Sequence, residues 1–192
     1  MAAHTYLTAL SPIEYRCGDP DGVLAGVRET LRTHEQEKSP FRRCPMVHMV
    51  RLQVIDTLRP AMGAQDAVPL QSSYLLLAAE LDGSADDFLD RLYEVAPGFV
   101  AALWGRCIGY PPYAGPVFLR RYIARCRIEG ELPYAAFDVG VGQTLEALAL
   151  KEEFGQWLAD APALDAAGLQ QRWLHRRNAP LRAKSLALPG GL

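Results

Sequence analysis

The chain has 192 residues, of which 49% are hydrophobic and 22% are charged, so it is long enough to bury a sizeable core. Its formal net charge of -2 argues against a general nucleic-acid binder, which needs a basic surplus to displace counterions. No apolar run reaches the ~18 residues that a spanning helix needs, and the 4 cysteines are widely scattered. We therefore predict a cytoplasmic protein with reduced thiols that contacts neither nucleic acid nor membrane.

The first half of the sequence predicts a strand, a helix and two further strands. Residues 5–12 are a short β-prone run. Pro20 then opens a helix with apolar residues at helical spacing, and Pro40 prevents its continuation. Residues 46–57 and 73–81 are rich in β-branched and long apolar side chains, which predicts the two strands.

The second half begins with a helix that carries clear start and stop signals. Ser84 is a typical N-cap, and Pro97 interrupts the helical pattern before a short further helical segment. Residues 117–128 (VFLRRYIARCRI) predict a fourth strand, and extended chain is expected over 132–140.

The end of the chain predicts only helices, a long one from Thr144 and a last one over Asp165–Arg177. We therefore predict an α+β domain over residues 1–140, with a ferredoxin-like βαββαβ antiparallel sheet and both of its helices on one face. A C-terminal helical extension over residues 141–192 is expected to pack on the same domain.

The predicted helices cover only one face of the sheet, so the other face remains to be explained. Alternate residues of a strand point to opposite faces, so the pattern places two groups on the faces of neighbouring strands. These groups are Met49, Arg51 and Gln53 on one strand, and Tyr74, Leu76 and Glu80 on the next. Because neither face is consistently polar, we predict that a second copy covers the open face in a homodimer.

Several short motifs resemble those of a known superfamily. Residues 39–41 (SPF) and Pro45 precede residues 48–51 (HMVR), residues 82–83 (DG) follow the next strand, and residues 104–111 read WGRCIGYP. This order is similar to that of the dimeric α+β barrel superfamily. It most resembles poorly characterised bacterial proteins with an HFAR-type strand and a W-x-x-C-x-GYP segment. Those proteins have Leu at the position of Phe41, and Phe-Ala in place of Met-Val within residues 48–51.

The resemblance implies an α+β barrel dimer, but it does not fix a function, because the superfamily includes haem enzymes, cofactor-free enzymes and binding proteins. Haem is the cofactor we expect, since it needs one axial ligand and a wide apolar pocket. His48 is the candidate ligand. Simple alternation, however, places His48 beneath the first helix as an ordinary hydrogen-bonded residue, unless a bulge near Pro45 reverses its direction.

The polar residues within the strands are the candidate catalytic set. Arg51, Tyr74 and Glu80 are costly to bury without partners. One alternative is an Arg51–Glu80 ion pair that satisfies itself. The other is an anchor for an acidic or carbonyl-bearing ligand, with Tyr74 as donor or general acid. The expected ligand-binding residues are Met49, Gln53, Leu76 and Trp104.

A metal site shared by Cys44 and His48 is not expected, because four steps of extended strand separate them by about 13 Å. The predicted function is a protein that binds a small, largely apolar molecule, with haem-dependent oxidation as the expected chemistry. Two alternatives stay open: a non-enzymatic accessory subunit with a hetero-partner, and a cofactor-free cyclase or isomerase.

Overall fold

The computed structural model describes residues 4–14, 20–58, 68–112, 115–129, 139–159 and 165–178. The strands are β1 (His4–Pro12), β2 (Val47–Leu58) and β3 (Val68–Asp82). The α-helices are α1 (Pro20–Thr33), α2 (Ala85–Val95), α3 (Pro97–Trp104), α4 (Pro116–Cys126), α5 (Val141–Ala159) and α6 (Ala166–Asn178). Two short 3-10 helices, Gln36–Lys38 and Pro40–Arg43, connect α1 to β2. The chain divides into two compact units, one up to residue 138 and one from residue 139.

The three strands form one antiparallel sheet in the order β1-β3-β2. The central strand β3 pairs along most of its length with both neighbours, so that Leu77 lies opposite Ala9 on one side and Leu52 on the other. The register of β2 shifts between Val47 and Met49, and again between Ile55 and Thr57. The first shift is a one-residue bulge of β2 at His48, whereas at the second shift the additional residues belong to β3, between Pro69 and Tyr74.

One face of this sheet is buried under the helices of the first unit. Its residues alternate along β1 and β3, and they pack against the apolar sides of α2, α3 and α4. The fully buried members include Ala9, Leu75, Leu81, Phe88, Leu92, Val100, Leu103, Leu119 and Ile123. The burial of these side chains supplies the main stabilisation of the unit, at about 1.5–3 kcal/mol for each large side chain.

The residues that the sequence predicts to start α2 and α3 do so in the structure. The Ser84 hydroxyl accepts a hydrogen bond from the Asp87 backbone N–H at 3.0 Å, which caps α2. Pro97 is the first residue of α3, where its missing N–H costs no helical hydrogen bond. The helical pattern is therefore divided at Ala96, as expected.

The predicted fourth strand is wrong, because residues 117–126 belong to helix α4. Pro116 begins this helix, and Leu119, Tyr122 and Ile123 are buried at the spacing of a helical face. Beyond the helix, Arg127 forms only an isolated antiparallel bridge with Ala9 of β1. The α+β class is confirmed, and the sheet has three strands within the described residues. The expectation of extended chain over 132–138 lies outside them.

The second unit contains α5 and α6, which confirms the two helices predicted for the end of the chain. The rings of Phe154 and Trp157 stack with centroids 5.5 Å apart, and Trp173 of α6 meets Trp157 edge-on at 5.9 Å. This aromatic cluster holds the two helices together. Across the described residues, no helix combines the length and the apolar character that crossing a membrane requires.

Candidate functional site on the outer face of the sheet

The face of the sheet opposite the helices collects six of the predicted site residues. In β2 these are Met49, Arg51 and Gln53, and in β3 they are Tyr74, Leu76 and Glu80. The alternation of buried and partly buried residues along β3 puts this second set on the side away from the core. We call this side the outer face.

The middle of the outer face is occupied by a small residue. Ala78 lies opposite Thr8 of β1 and Arg51 of β2, whereas larger side chains flank it along β3 at Leu76 and Glu80. Opposed residues of neighbouring strands are roughly 4.5–5.5 Å apart, so we expect the short Ala78 side chain to leave a shallow depression between them. We call it the Ala78 depression. Arg51 stands at one side of it.

Arg51 does not form the ion pair with Glu80 that was one of the alternatives. Met49, not Arg51, lies opposite Glu80, and Arg51 is exposed without an ion-pair partner among the described residues. Glu80 instead accepts a hydrogen bond from the Tyr6 hydroxyl at 3.5 Å and lies 3.7 Å from His4 Nδ1. The donors of the Arg51 guanidinium therefore face solvent.

His48 lies on the outer face, which corrects the interpretation that places it beneath the first helix. The shift in register between Val47 and Met49 leaves His48 as the extra residue of a bulge. Its Nε2 lies 2.8 Å from Asp82 Oδ1, and its ring stacks on His4 with centroids 4.9 Å apart. The bulge thus reverses the direction that regular alternation gives.

The sequence patterns did not single out His4 or Asp82 as site residues. Asp82 was interpreted only as part of a turn, and His4 precedes the predicted first strand. They lie directly opposite each other in the sheet although 78 positions separate them in the chain, so their proximity depends on the strand register. A histidine and an aspartate at strand ends are the signal that was available.

Trp104 belongs to the core and not to the outer face. It is 0% exposed at the end of α3. It therefore does not line the predicted ligand site. The residues after it connect α3 to β1: Cys107 bridges to Ile13, and Gly109 has a φ of 78°, a left-handed conformation that favours glycine. The W-x-x-C-x-GYP segment therefore has a structural role here: it ties the end of α3 to the chain that follows β1.

The buried cysteines also lie on the core side. Burial raises the pKa of the Cys44 thiol, and burial together with neighbouring Cys126 raises the pKa of Cys107 to about 12. Cys44 is buried in the core whereas His48 is on the outer face, so the two side chains diverge. These thiols stay protonated at neutral pH and are poor nucleophiles and ligands.

The surroundings of His48 do not suit a haem group. Its Nε2 already contacts Asp82, and His4 stacks against its ring. A porphyrin centred on an iron at Nε2 would extend across these neighbours and the Glu80 carboxylate, where an apolar pocket is needed. The donor set of imidazoles and a carboxylate suits a compact ion better.

No protein-family model matches the sequence, and the comparisons with curated proteins and with solved structures give no match either. The resemblance to the dimeric α+β barrel superfamily therefore stays a prediction. The outer face is characterised by its geometry alone.

Proposed function

We propose that the chain is a small-molecule-binding protein that holds a largely apolar, acidic ligand against the outer face. The observation that carries this proposal is the pairing of the small Ala78 with the exposed Arg51 across β3 and β2. A carboxylate can accept charge-assisted hydrogen bonds from Arg51. The apolar body of the ligand then lies on Leu76 and on Leu10, its neighbour across the strands.

A second copy of the chain is the cover we propose for this face. Met49 is 64% exposed, its outer-face neighbours Arg51 and Gln53 on β2 are exposed as well, and the face mixes apolar with polar side chains. Two sheets that pack face to face lie about 10 Å apart, which leaves space for a flat ligand above a small residue such as Ala78. The same proposal includes the ferredoxin-like arrangement, of which the described residues supply three strands.

Two predicted catalytic residues flank the depression at its ends. Glu80 lies one position beyond Ala78 on the outer face, and Tyr74 lies at the other end, opposite Ile55. A Tyr74 hydroxyl can donate a hydrogen bond to a ligand carbonyl. The proposal is limited to binding, since the residues around His48 do not favour the expected haem chemistry.

An NMR titration with decanoate, an apolar carboxylate, tests the binding site. We expect the amide shifts to be confined to β1, β2 and β3, with the largest changes around Ala78. Arg51→Ala should weaken decanoate binding about tenfold, the effect of losing about 1.4 kcal/mol. Arg121→Ala is the matched control, because Arg121 is an exposed arginine on α4.

Shifts that spread over the helices, or an Arg51→Ala affinity equal to that of Arg121→Ala, would contradict the proposed site. Sedimentation velocity of the same samples tests the second copy. If the wild type is a dimer and Leu76→Glu is a monomer, the result supports a second copy on the outer face. A monomer that captures a different chain through this face would instead favour the accessory-subunit alternative.

A further inference from the structure

We propose that His4, His48 and Asp82 form a binding site for one divalent transition-metal ion, of the type that Zn²⁺ or Fe²⁺ occupies. The three side chains come from three adjacent strands and lie in one row across the end of the outer face. One potential ligand atom from each lies within 4.8 Å of the other two. The inference goes beyond the proposed function and stands without an organic ligand.

One distance within the row, that between His48 and Asp82, is already that of a coordination shell. Two atoms bound to one ion at ~2.0–2.2 Å are roughly 2.9–3.5 Å apart at the angles of octahedral or tetrahedral sites. His48 Nε2 and Asp82 Oδ1 are 2.8 Å apart, and the His4 ring is stacked on the His48 ring. Small rotations of the His4 and His48 side chains therefore complete the three ligands.

The bulge in β2 is the second observation that points to a ligand. Regular pairing would turn His48 toward the core, in step with Val50 and Leu52. The extra residue leaves the strand ladder and aims the imidazole at Asp82 instead. Bulges that redirect a side chain in this way are frequent beside functional sites.

The burial and charge of the group also favour a cation. The side chains of His4, His48 and Asp82 are 9%, 17% and 24% exposed. Metal binding requires neutral imidazoles, and the carboxylates of Asp82 and Glu80 then carry two negative charges that a divalent ion neutralises. Glu80 lies 3.7 Å from His4 Nδ1, so a movement of a few tenths of an ångström would let its carboxylate accept the hydrogen bond that orients a ligating histidine.

The chemistry of the donor set defines the class of metal. Two imidazoles and one carboxylate suit Zn²⁺ and Fe²⁺, whereas Mg²⁺ and Ca²⁺ prefer oxygen ligands alone. Three protein ligands leave coordination positions open for water or for a small molecule. Asp82 and Ala78 are four positions apart on β3, about 13 Å, so these open positions face the same surface as the Ala78 depression.

Titration of the tag-free full chain with Co²⁺ tests the site, because four- and five-coordinate Co²⁺ has intense visible absorption. We expect the wild type to bind one Co²⁺ per chain and to release it when Zn²⁺ is added. Asp82→Asn and His48→Ala should each weaken Co²⁺ binding by at least about tenfold. His175→Ala is the matched control, since His175 is an exposed histidine on α6.

Thermal denaturation separates loss of metal from loss of fold. Zn²⁺ should raise the Tm of the wild type and of His175→Ala, because an ion that binds only the folded state stabilises it. Asp82→Asn, which keeps the side-chain shape, should fold without Zn²⁺ and show no rise. The inference is overturned if equilibrium dialysis finds no Co²⁺ bound to the wild type, or if Asp82→Asn and His48→Ala bind Co²⁺ as His175→Ala does. Decanoate binding is scored separately, so either proposal can fail alone.

Discussion

Two neighbouring leucines of β3 allow the faces of the sheet to be tested separately. Leu77 is 1% exposed on the core face, and Leu76 is partly buried on the outer face. Leu→Ala removes the same atoms at both positions and leaves the backbone of the central strand unchanged. The two variants therefore differ only in what surrounds the side chain.

The expected costs follow from this difference. Leu77→Ala removes buried groups worth about 0.8 kcal/mol each and leaves a cavity, so the free energy of unfolding should fall by about 3 kcal/mol. Leu76→Ala should cost about 1 kcal/mol in the isolated chain, because part of its surface already contacts water. Urea denaturation followed by tryptophan fluorescence measures both. With a slope of about 2 kcal/mol per molar urea, Leu77→Ala lowers the midpoint by about 1.5 M.

The protein concentration distinguishes the role of each face. If a second copy covers the outer face, the midpoint difference between the wild type and Leu76→Ala widens as protein concentration rises. The Leu77→Ala difference should stay constant. The assignment of the faces is refuted if Leu76→Ala costs as much as Leu77→Ala at the lowest concentration.

Two further predictions concern stability away from the outer face. The fold holds the Cys107 thiol protonated by raising its pKa from 9.0 to about 12, so stability is lost as pH rises from about 9 to about 12, by up to about 4 kcal/mol. Urea midpoints across this range should fall less steeply for Cys107→Ala; parallel curves would contradict the assigned burial. Gly105→Ala would place a Cβ against the Ala101 carbonyl oxygen and should cost about 1–3 kcal/mol by calorimetry, whereas Gly98→Ala has open space on α3 and should gain about 0.5–1 kcal/mol. A gain at both glycines would show that Gly105 is not crowded.

The sequence patterns predicted the sheet and its faces well where local signals were strong. The alternation along β3 correctly separated Leu76 from Leu77, and Ser84 and Pro97 correctly marked helix starts. The strand predicted over 117–128 failed because its β-prone composition outweighed the proline at 116 and the helical spacing of its apolar residues. Tertiary packing decided between two patterns that the segment satisfies.

The row of His4, His48 and Asp82 could not be predicted by the same means. A bulge adds one residue to a strand, and although Pro45 indicated that a bulge could occur nearby, the sequence did not decide whether the strand contains it. The pairing of His4 with Asp82 depends on the register of strands far apart in sequence. The residues of the outer face were predictable from the two-residue alternation of each strand. Predicting the row also requires the register between three strands.

The bulge of β2 also affects how copies of this chain can aggregate. An edge strand with regular pairing groups can recruit another strand and extend the sheet into a fibril. In β2 the bulge at His48 interrupts that regular array near one end, and on the opposite side of the sheet Arg127 bridges to Ala9 of β1 and Cys107 to Ile13 just after it. Both edges thus resist strand addition. An oligomer of limited size is therefore favoured over open-ended growth.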